Sequence, residues 1–235
     1  MPAGWRQARA SCKKPGMADP NPSGPRRLSG AKVAGLAVGA LLLALFAWQT
    51  WRTVATRPTV VRAPPVSAVE DFGIDRAKDP SRSAPPLELA ALDGTRFSLA
   101  SARGQVVFVN FWATWCPPCR DEMPSMIRLG QELAARFPGK FRMVAVTVDE
   151  DLAAVREYFG APPFSGPPPG ITIAHDADQS VTKAYYCSAR GFCPDLKFPE
   201  TYIVDGAGRL VAYVVGPRDW AHPGAREFLE ALLRS

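Results

Sequence analysis

In this 235-residue chain the apolar run Gln105-Val-Val-Phe-Val-Asn-Phe-Trp112 is followed at once by Trp115-Cys116-Pro117-Pro118-Cys119. A short apolar run of this kind reads as a buried strand, and the residues after it have helical spacing. Two cysteines three positions apart on one helical turn lie close enough for their sulfurs to bond. The first stands where the helix begins. Unpaired N–H groups and the positive end of the helix dipole there favour thiolate over thiol. Pro117 fits the first turn, where a missing N–H has no cost. A readily formed thiolate, with a partner that can resolve a mixed disulfide, is what thiol–disulfide exchange requires.

Other uses of such a pair fit less well. Zinc sites usually add a second Cys or His pair. Cys187 and Cys193 have poor zinc-knuckle spacing, and the two histidines, His175 and His222, have no paired spacing either. No metal site is expected. A purely structural bridge is disfavoured because so short a loop has little entropy to lose.

The surrounding pattern is that of an α/β domain. Pro117 to Arg136 places Met123, Met126, Ile127, Leu129 and Leu133 at helical spacing, with a kink expected at Pro124. Phe141 to Val148 and Gly170 to Ala174 read as buried strands. Asp151 to Phe159, with Asp149 as a candidate cap, and Asp178 to Tyr185 read as helices. Thr201 to Val204 and Leu210 to Val215 form a hairpin across Asp205-Gly206-Ala207-Gly208. Ala225 to Leu233 is a closing helix. Strands alternating with helices, then a hairpin, predict a central mixed sheet flanked by helices. About 150 residues suffice for one core.

The segment Val106 to Pro124, with its Trp-Cys-Pro-Pro-Cys-Arg-Asp-Glu-Met-Pro, resembles the active-site segment of the membrane-anchored thioredoxin-like reductases, the family of TlpA, ResA and CcmG. Pro199-Glu-Thr-Tyr-Ile-Val-Asp205 and Gly206-Ala-Gly-Arg209 resemble that family's cis-proline strand and the hairpin after it. The likeness covers Leu87 to Ser235 and implies a thioredoxin-like fold.

The resemblance also distributes roles. Cys116 is the expected nucleophile and Cys119, one turn deeper, the resolving thiol, which needs a base to deprotonate it. Thioredoxin carries a buried aspartate in the preceding strand; here the matching residue is Asn110, which cannot titrate. Glu122 matches an active-site glutamate of the ResA-like branch. A desolvated glutamate there would have a raised pKa and could shuttle the proton. The alternative is a solvated first-turn acid that merely suits the helix dipole. The nearby Asp121 reads as exposed. Pro199 is expected in the cis form, holding the Phe198 backbone open to an extended substrate. Trp115, Pro117 and Pro118 would complete that groove, and Trp112 reads as core.

Cys187 and Cys193 depart from the family pattern. They lie in Tyr186-Cys-Ser-Ala-Arg-Gly-Phe-Cys-Pro-Asp-Leu-Lys-Phe198, directly before Pro199. In an oxidising compartment they read as a local disulfide that stiffens the loop framing the groove. A second redox pair, copper ligands and unpaired thiols remain alternatives.

Charge is concentrated at the start of the chain. Residues 1–52 hold eight Lys or Arg against Asp19, which is +7 of a net +6 and leaves −1 for the remainder. The basic balance is therefore a topogenic signal and excludes a nucleic-acid surface as its explanation. Between Lys32 and Arg52 about 19 uncharged, mostly apolar residues are enough to span a bilayer, with Trp48 and Trp51 at an interface. No convincing cleavage site follows, so an uncleaved anchor is preferred. The expected organisation is a disordered basic cytoplasmic tail (1–31), a transmembrane helix (32–51), a Pro-rich tether (52–86) and the catalytic domain (87–235) outside the cytoplasm, or in the periplasm. Cys12 would lie on the cytoplasmic side. The Pro-rich stretch from Ala161 to Gly170 reads as a stiff connector.

These features predict an anchored thiol–disulfide oxidoreductase that reduces client proteins. The resemblance points to apocytochrome c or copper-site proteins as clients and to a membrane electron donor. No cofactor is implied beyond the redox-active Cys116–Cys119 pair. The alternatives are a disulfide-forming oxidase and a copper metallochaperone using the same pair. A peroxide-reducing redoxin would carry a different pattern, without a Cys three residues on.

Overall fold

A computed structural model describes residues 41–51 and 71–235. In the second of these stretches, eight strands form one mixed sheet: β1 (Asp75–Arg76), β2 (Glu88–Ala91), β3 (Arg96–Ser98), β4 (Val106–Trp112), β5 (Phe141–Thr147), β6 (Ile171–His175), β7 (Glu200–Val204) and β8 (Leu210–Val215). Helices α1 (Pro117–Arg136), α2 (Leu152–Gly160), α3 (Ser180–Arg190) and α4 (Pro223–Leu233) pack on it. The strand order is β1-β8-β7-β4-β5-β6-β2-β3. β4, β5 and β6 run parallel, and β7 returns antiparallel on the other side of β4.

The period-two geometry of β4 divides the core. Val106, Phe108 and Trp112 face the cluster built with α1, α2 and α4, whereas Val107, Val109 and Phe111 face the cluster built with the tyrosines of α3. A fully buried strand of this kind needs apolar residues on both faces, which explains a run broken only by Asn110. Helix α1 lies close to the sheet because position 130 is glycine. A Cβ there would meet Met143 Sδ at 2.6 Å and Ile171 Cδ1 at 2.9 Å.

Pro124 is accommodated inside the continuous helix α1. The Arg120 carbonyl, which an N–H at position 124 would have met, lies 3.5 Å from the Tyr158 hydroxyl that donates toward it. The cap of α2 is Asp151, whose carboxylate accepts from Ala153 N at 2.8 Å, and not Asp149. Asp149 is buried and used elsewhere. Helix α3 runs five residues past the expected Tyr185, to Arg190, and stops at Gly191, whose φ of 74° suits a left-handed cap.

The expected tether overlaps the domain. Phe72, Ile74 and Ala77 are buried, and β1 pairs antiparallel with β8 through Asp75 and Arg76. Residues 71–86 are thus part of the folded unit. A two-residue strand has no periodicity by which sequence could reveal it. The β2–β3 hairpin, which joins the far edge of the sheet through β6, was equally unsignalled.

Residues 41–51 are helical. Among the described residues no helix is long and apolar enough to cross a membrane. Residues 1–40 and 52–70, where the expected tail, most of the expected span and the rest of the tether fall, lie outside the described residues.

Candidate active site

The C-terminal end of β4 delivers the chain into α1 through a tightly held turn. Cys116 is the N-cap of α1, and Cys119 N donates to Cys116 Sγ at 3.3 Å. The pair is closed as a disulfide, with Cα atoms 5.3 Å apart. Cys116 is 5% exposed and Cys119 fully buried, the order expected for an attacking and a resolving sulfur. The backbone N–H directed at Cys116 Sγ supplies the local field that stabilises negative charge on sulfur.

Asp149, just after β5, holds that turn. Its carboxylate accepts from Thr114 N at 3.0 Å and from Thr114 Oγ1 at 2.6 Å. Thr147 Oγ1 also donates to it, and His175 Nε2 lies 2.7 Å from its main-chain carbonyl. The ends of β4, β5 and β6 are thereby linked two residues before the nucleophile. Sequence had suggested only a cap for Asp149; its companion Thr114 lies 35 positions away, and no local pattern connects them.

Glu122 lies on α1 one turn beyond Cys119. It is 4% exposed. Asn110 Nδ2 donates to its Oε1 at 2.9 Å, while the Arg218 N–H and the Trp220 indole N–H donate to its Oε2 at 3.0 and 3.2 Å. Burial pushes its pKa up to about 7, against the lowering effect of these three donors. The solvated-acid alternative is therefore set aside by its burial. Asn110 also donates to Thr201 Oγ1 at 3.0 Å, which ties the acid to β7. Its Oδ1 is buried without a hydrogen-bond partner. A cleft of about 630 Å³ is lined by Pro118, Asp121, Glu122, Ser125, Arg128 and Arg218. Arg218 and Trp220 were not foreseen. They lie almost a hundred residues on, beyond β8, and Trp220 is held by Phe72 and Phe108 with ring centroids 5.1 and 4.7 Å away.

The residues expected to form the groove include a tryptophan next to the disulfide in sequence and the cis-proline segment that its ring meets. The Phe198–Pro199 bond is cis. Trp115 is 62% exposed and meets the Phe198 ring edge-on at 5.8 Å. Pro117 and Pro118 are exposed, and Trp112 is fully buried. Among the described residues no backbone hydrogen bond occupies the N–H or C=O of Phe198, whereas the Pro199 carbonyl accepts from Gly216 N. Another cleft of about 630 Å³ runs from Thr114, Pro117, Arg120 and Pro124 to Tyr158, Pro162 and Pro163. The Pro-rich connector therefore borders the site. Cys187 and Cys193 form a second disulfide at the end of α3. Among the described residues no cluster of His, Cys, Asp and Glu could hold a metal ion.

A protein-family model described as Redoxin matches residues 73–229. The chain is 29% identical over 154 residues to the thiol-disulfide oxidoreductase ResA of Bacillus thuringiensis strain Al Hakam, which covers 65% of this chain and 76% of that protein. It is 29% identical over 181 residues to the thioredoxin-like protein YneN of Bacillus subtilis strain 168, covering 76% and 88%. Among solved structures, a thiol:disulfide interchange protein of the thioredoxin family from Chlorobium tepidum TLS superposes with a TM-score of 0.52 at 29% identity, over 64% of this chain and 95% of that one.

Proposed function

We propose a mechanism, a direction and a setting for a chain that belongs to the Redoxin family and is a thioredoxin-fold thiol–disulfide oxidoreductase. The reduced enzyme attacks a client disulfide with the Cys116 thiolate. One client sulfur leaves as a thiolate, and a mixed disulfide forms. Cys119 then attacks Cys116 Sγ, which releases the second client thiolate and closes Cys116–Cys119. Two electrons and two protons pass to the client.

The observation that carries this reading is Glu122, a buried carboxyl one turn from the resolving thiol and poised near neutrality. Cys119 is fully buried and cannot lose its proton directly to water. Glu122 takes that proton, and its cleft passes it to solvent. The groove of Trp115, Pro117, Pro118, Phe198 and Pro199 receives the client, whose extended backbone pairs with the free edge at Phe198.

The resemblance to TlpA, ResA and CcmG supports the reductive direction. It also supports apocytochrome c or a copper-site protein as client and a membrane electron carrier as donor. The apolar segment 32–51 anchors the protein in the cytoplasmic membrane, with the domain on its extracytoplasmic side. The cysteine pair is the redox centre.

The reduction potential of Cys116–Cys119, measured in the full-length protein with Cys187 and Cys193 both changed to Ser, tests the direction. A value near that of thioredoxin, about −270 mV, supports the reductase. A value near about −120 mV would make the protein a disulfide donor.

A further inference from the structure

We propose that helix α3, locked by the Cys187–Cys193 disulfide, positions the substrate-facing edge at Phe198 and so sets a preference for polypeptide disulfides over small ones. The inference rests on the exchange through Cys116 proposed above. It assigns to the second disulfide a specificity role at that site.

The helix grips the residues on both sides of Phe198–Pro199. On one side the Tyr186 hydroxyl donates to the Lys197 carbonyl. On the other, Arg190 Nη2 lies 2.8 Å from both carboxylate oxygens of Glu200. That pair is well shielded, with side chains 11% and 3% exposed, and the guanidinium sits 4.7 Å above the Tyr213 ring. A shielded carboxylate held by a charged donor is costly to release, so the grip is firm. The disulfide joins Cys187, between the two gripping residues, to Cys193 in the loop that leads to Phe198. Tyr186 also supports the Phe198 ring directly, centroids 6.4 Å apart.

What this clamp holds still is a stretch of backbone with free hydrogen-bonding groups at Phe198. An extended polypeptide uses them, because strand addition takes its affinity from main-chain hydrogen bonds. A small aromatic disulfide needs only the Cys116 sulfur. Loosening the clamp should therefore raise the cost of ordering the edge for one substrate class and not for the other.

The test uses the full-length protein with Cys12 changed to Ser throughout, so that no unpaired thiol reacts with the probes, with Cys116–Cys119 reduced by a limiting dithiol and the state of Cys187–Cys193 read by mass-tagging of thiols. Two probes are compared: a peptide carrying an oxidised Cys-x-x-Cys-His segment, and 5,5′-dithiobis(2-nitrobenzoate). In the Cys187→Ser/Cys193→Ser double variant, the rate constant for the peptide should fall about tenfold, the scale of one lost hydrogen bond. That for the small disulfide should stay within about twofold, the scale of a surface change remote from the chemistry. Tyr186→Phe and Arg190→Lys keep both cysteines and should shift the same ratio in the same direction. They decide the matter if the double variant misfolds or the parent's bridge opens. Equal losses with both probes, or none with either, would overturn the proposal. Cys116→Ser must abolish both reactions; if it does not, the exchange reading itself fails, whatever the ratio shows.

Discussion

The domain closes two disulfides, each local in sequence, one at the N-terminus of a helix and the other at the C-terminus of a different helix. Cys116 caps the N-terminus of α1, where Cys119 N donates to its sulfur. Cys187 lies in the last turn of α3, where its carbonyl accepts from Gly191 N and the helix end presents carbonyls in place of N–H groups. Exposure alone would choose the wrong pair as the reactive one. Cys193 is exposed and Cys187 half-buried, whereas Cys116 is 5% and Cys119 0% exposed. The lesson is that the backbone field and a nearby acid mark a redox site better than accessibility does. The first pair has Glu122 one turn away; the second is flanked by Arg190, whose charge is already committed to Glu200. One arrangement suits turnover and the other suits permanence.

The contrast breaks most visibly if Glu122 is dispensable. Glu122→Gln should slow the step in which Cys119 resolves the mixed disulfide by about 100-fold near neutral pH, the usual scale of a lost general base. Quenched-flow trapping of the mixed disulfide would check it, and an unchanged rate would remove the acid from the mechanism. The same variant has a stability signature in the oxidised protein, where the cysteines do not titrate. The native carboxyl titrates at about 7 and the ordinary value is 4.5. Between those values the native state holds more protons than the unfolded state, so stability falls as pH rises through the window. The fall should be on the order of 3 kcal/mol, and Glu122→Gln should remove it from denaturant titrations at pH 4.5 and 7.5.

Next in size is an effect transmitted from the N-terminal edge of the domain. Phe72 packs on Trp220, and Trp220 donates to Glu122. Phe72→Ala should cost about 3 kcal/mol of stability, the scale of a buried aromatic removed from a core. It should also move the apparent pKa of the resolving step, because Trp220 loses a wall. The second disulfide has no such connection, so its reactivity toward reductants should not change. Destabilisation without any movement of the pH profile would show that this packing serves only the fold.

How much of this was legible beforehand follows from distance along the chain. The Cys116–Cys119 pair, the strand before it and the helix after it are one contiguous signal, and the structure places them as read. Glu122 was legible as a position through resemblance, but its burial was not, since Asn110, Arg218 and Trp220 reach it from three separate segments. Asp149 was misassigned for the same reason: a buried carboxylate beside Thr114 looks, in sequence, like any acid preceding a helix. The stretch 71–86 reads as tether because it is rich in Pro, Arg, Ser and Ala with little apolar periodicity, although three apolar side chains and two strand residues suffice to dock it.

The smallest expected effect bears on the comparison most directly. With both disulfides opened, Cys116 should alkylate with iodoacetamide about tenfold faster than Cys187 at pH 7. A helix terminus contributes up to about 2 kcal/mol to a charge beside it, and each 1.4 kcal/mol is a factor of ten. The sign is opposite at the two ends: N–H groups stabilise thiolate at Cys116, and carbonyl groups disfavour it at Cys187. As pH rises both sulfurs become thiolates, and the thiolate that forms more easily is intrinsically the weaker nucleophile. The ratio should therefore shrink toward one by about pH 10. Site-resolved mass spectrometry across pH would separate this from a simple difference in access, which would hold the ratio constant at every pH. A constant ratio that favours the better exposed Cys187 would mean that burial, and not the helix field, distinguishes the two pairs.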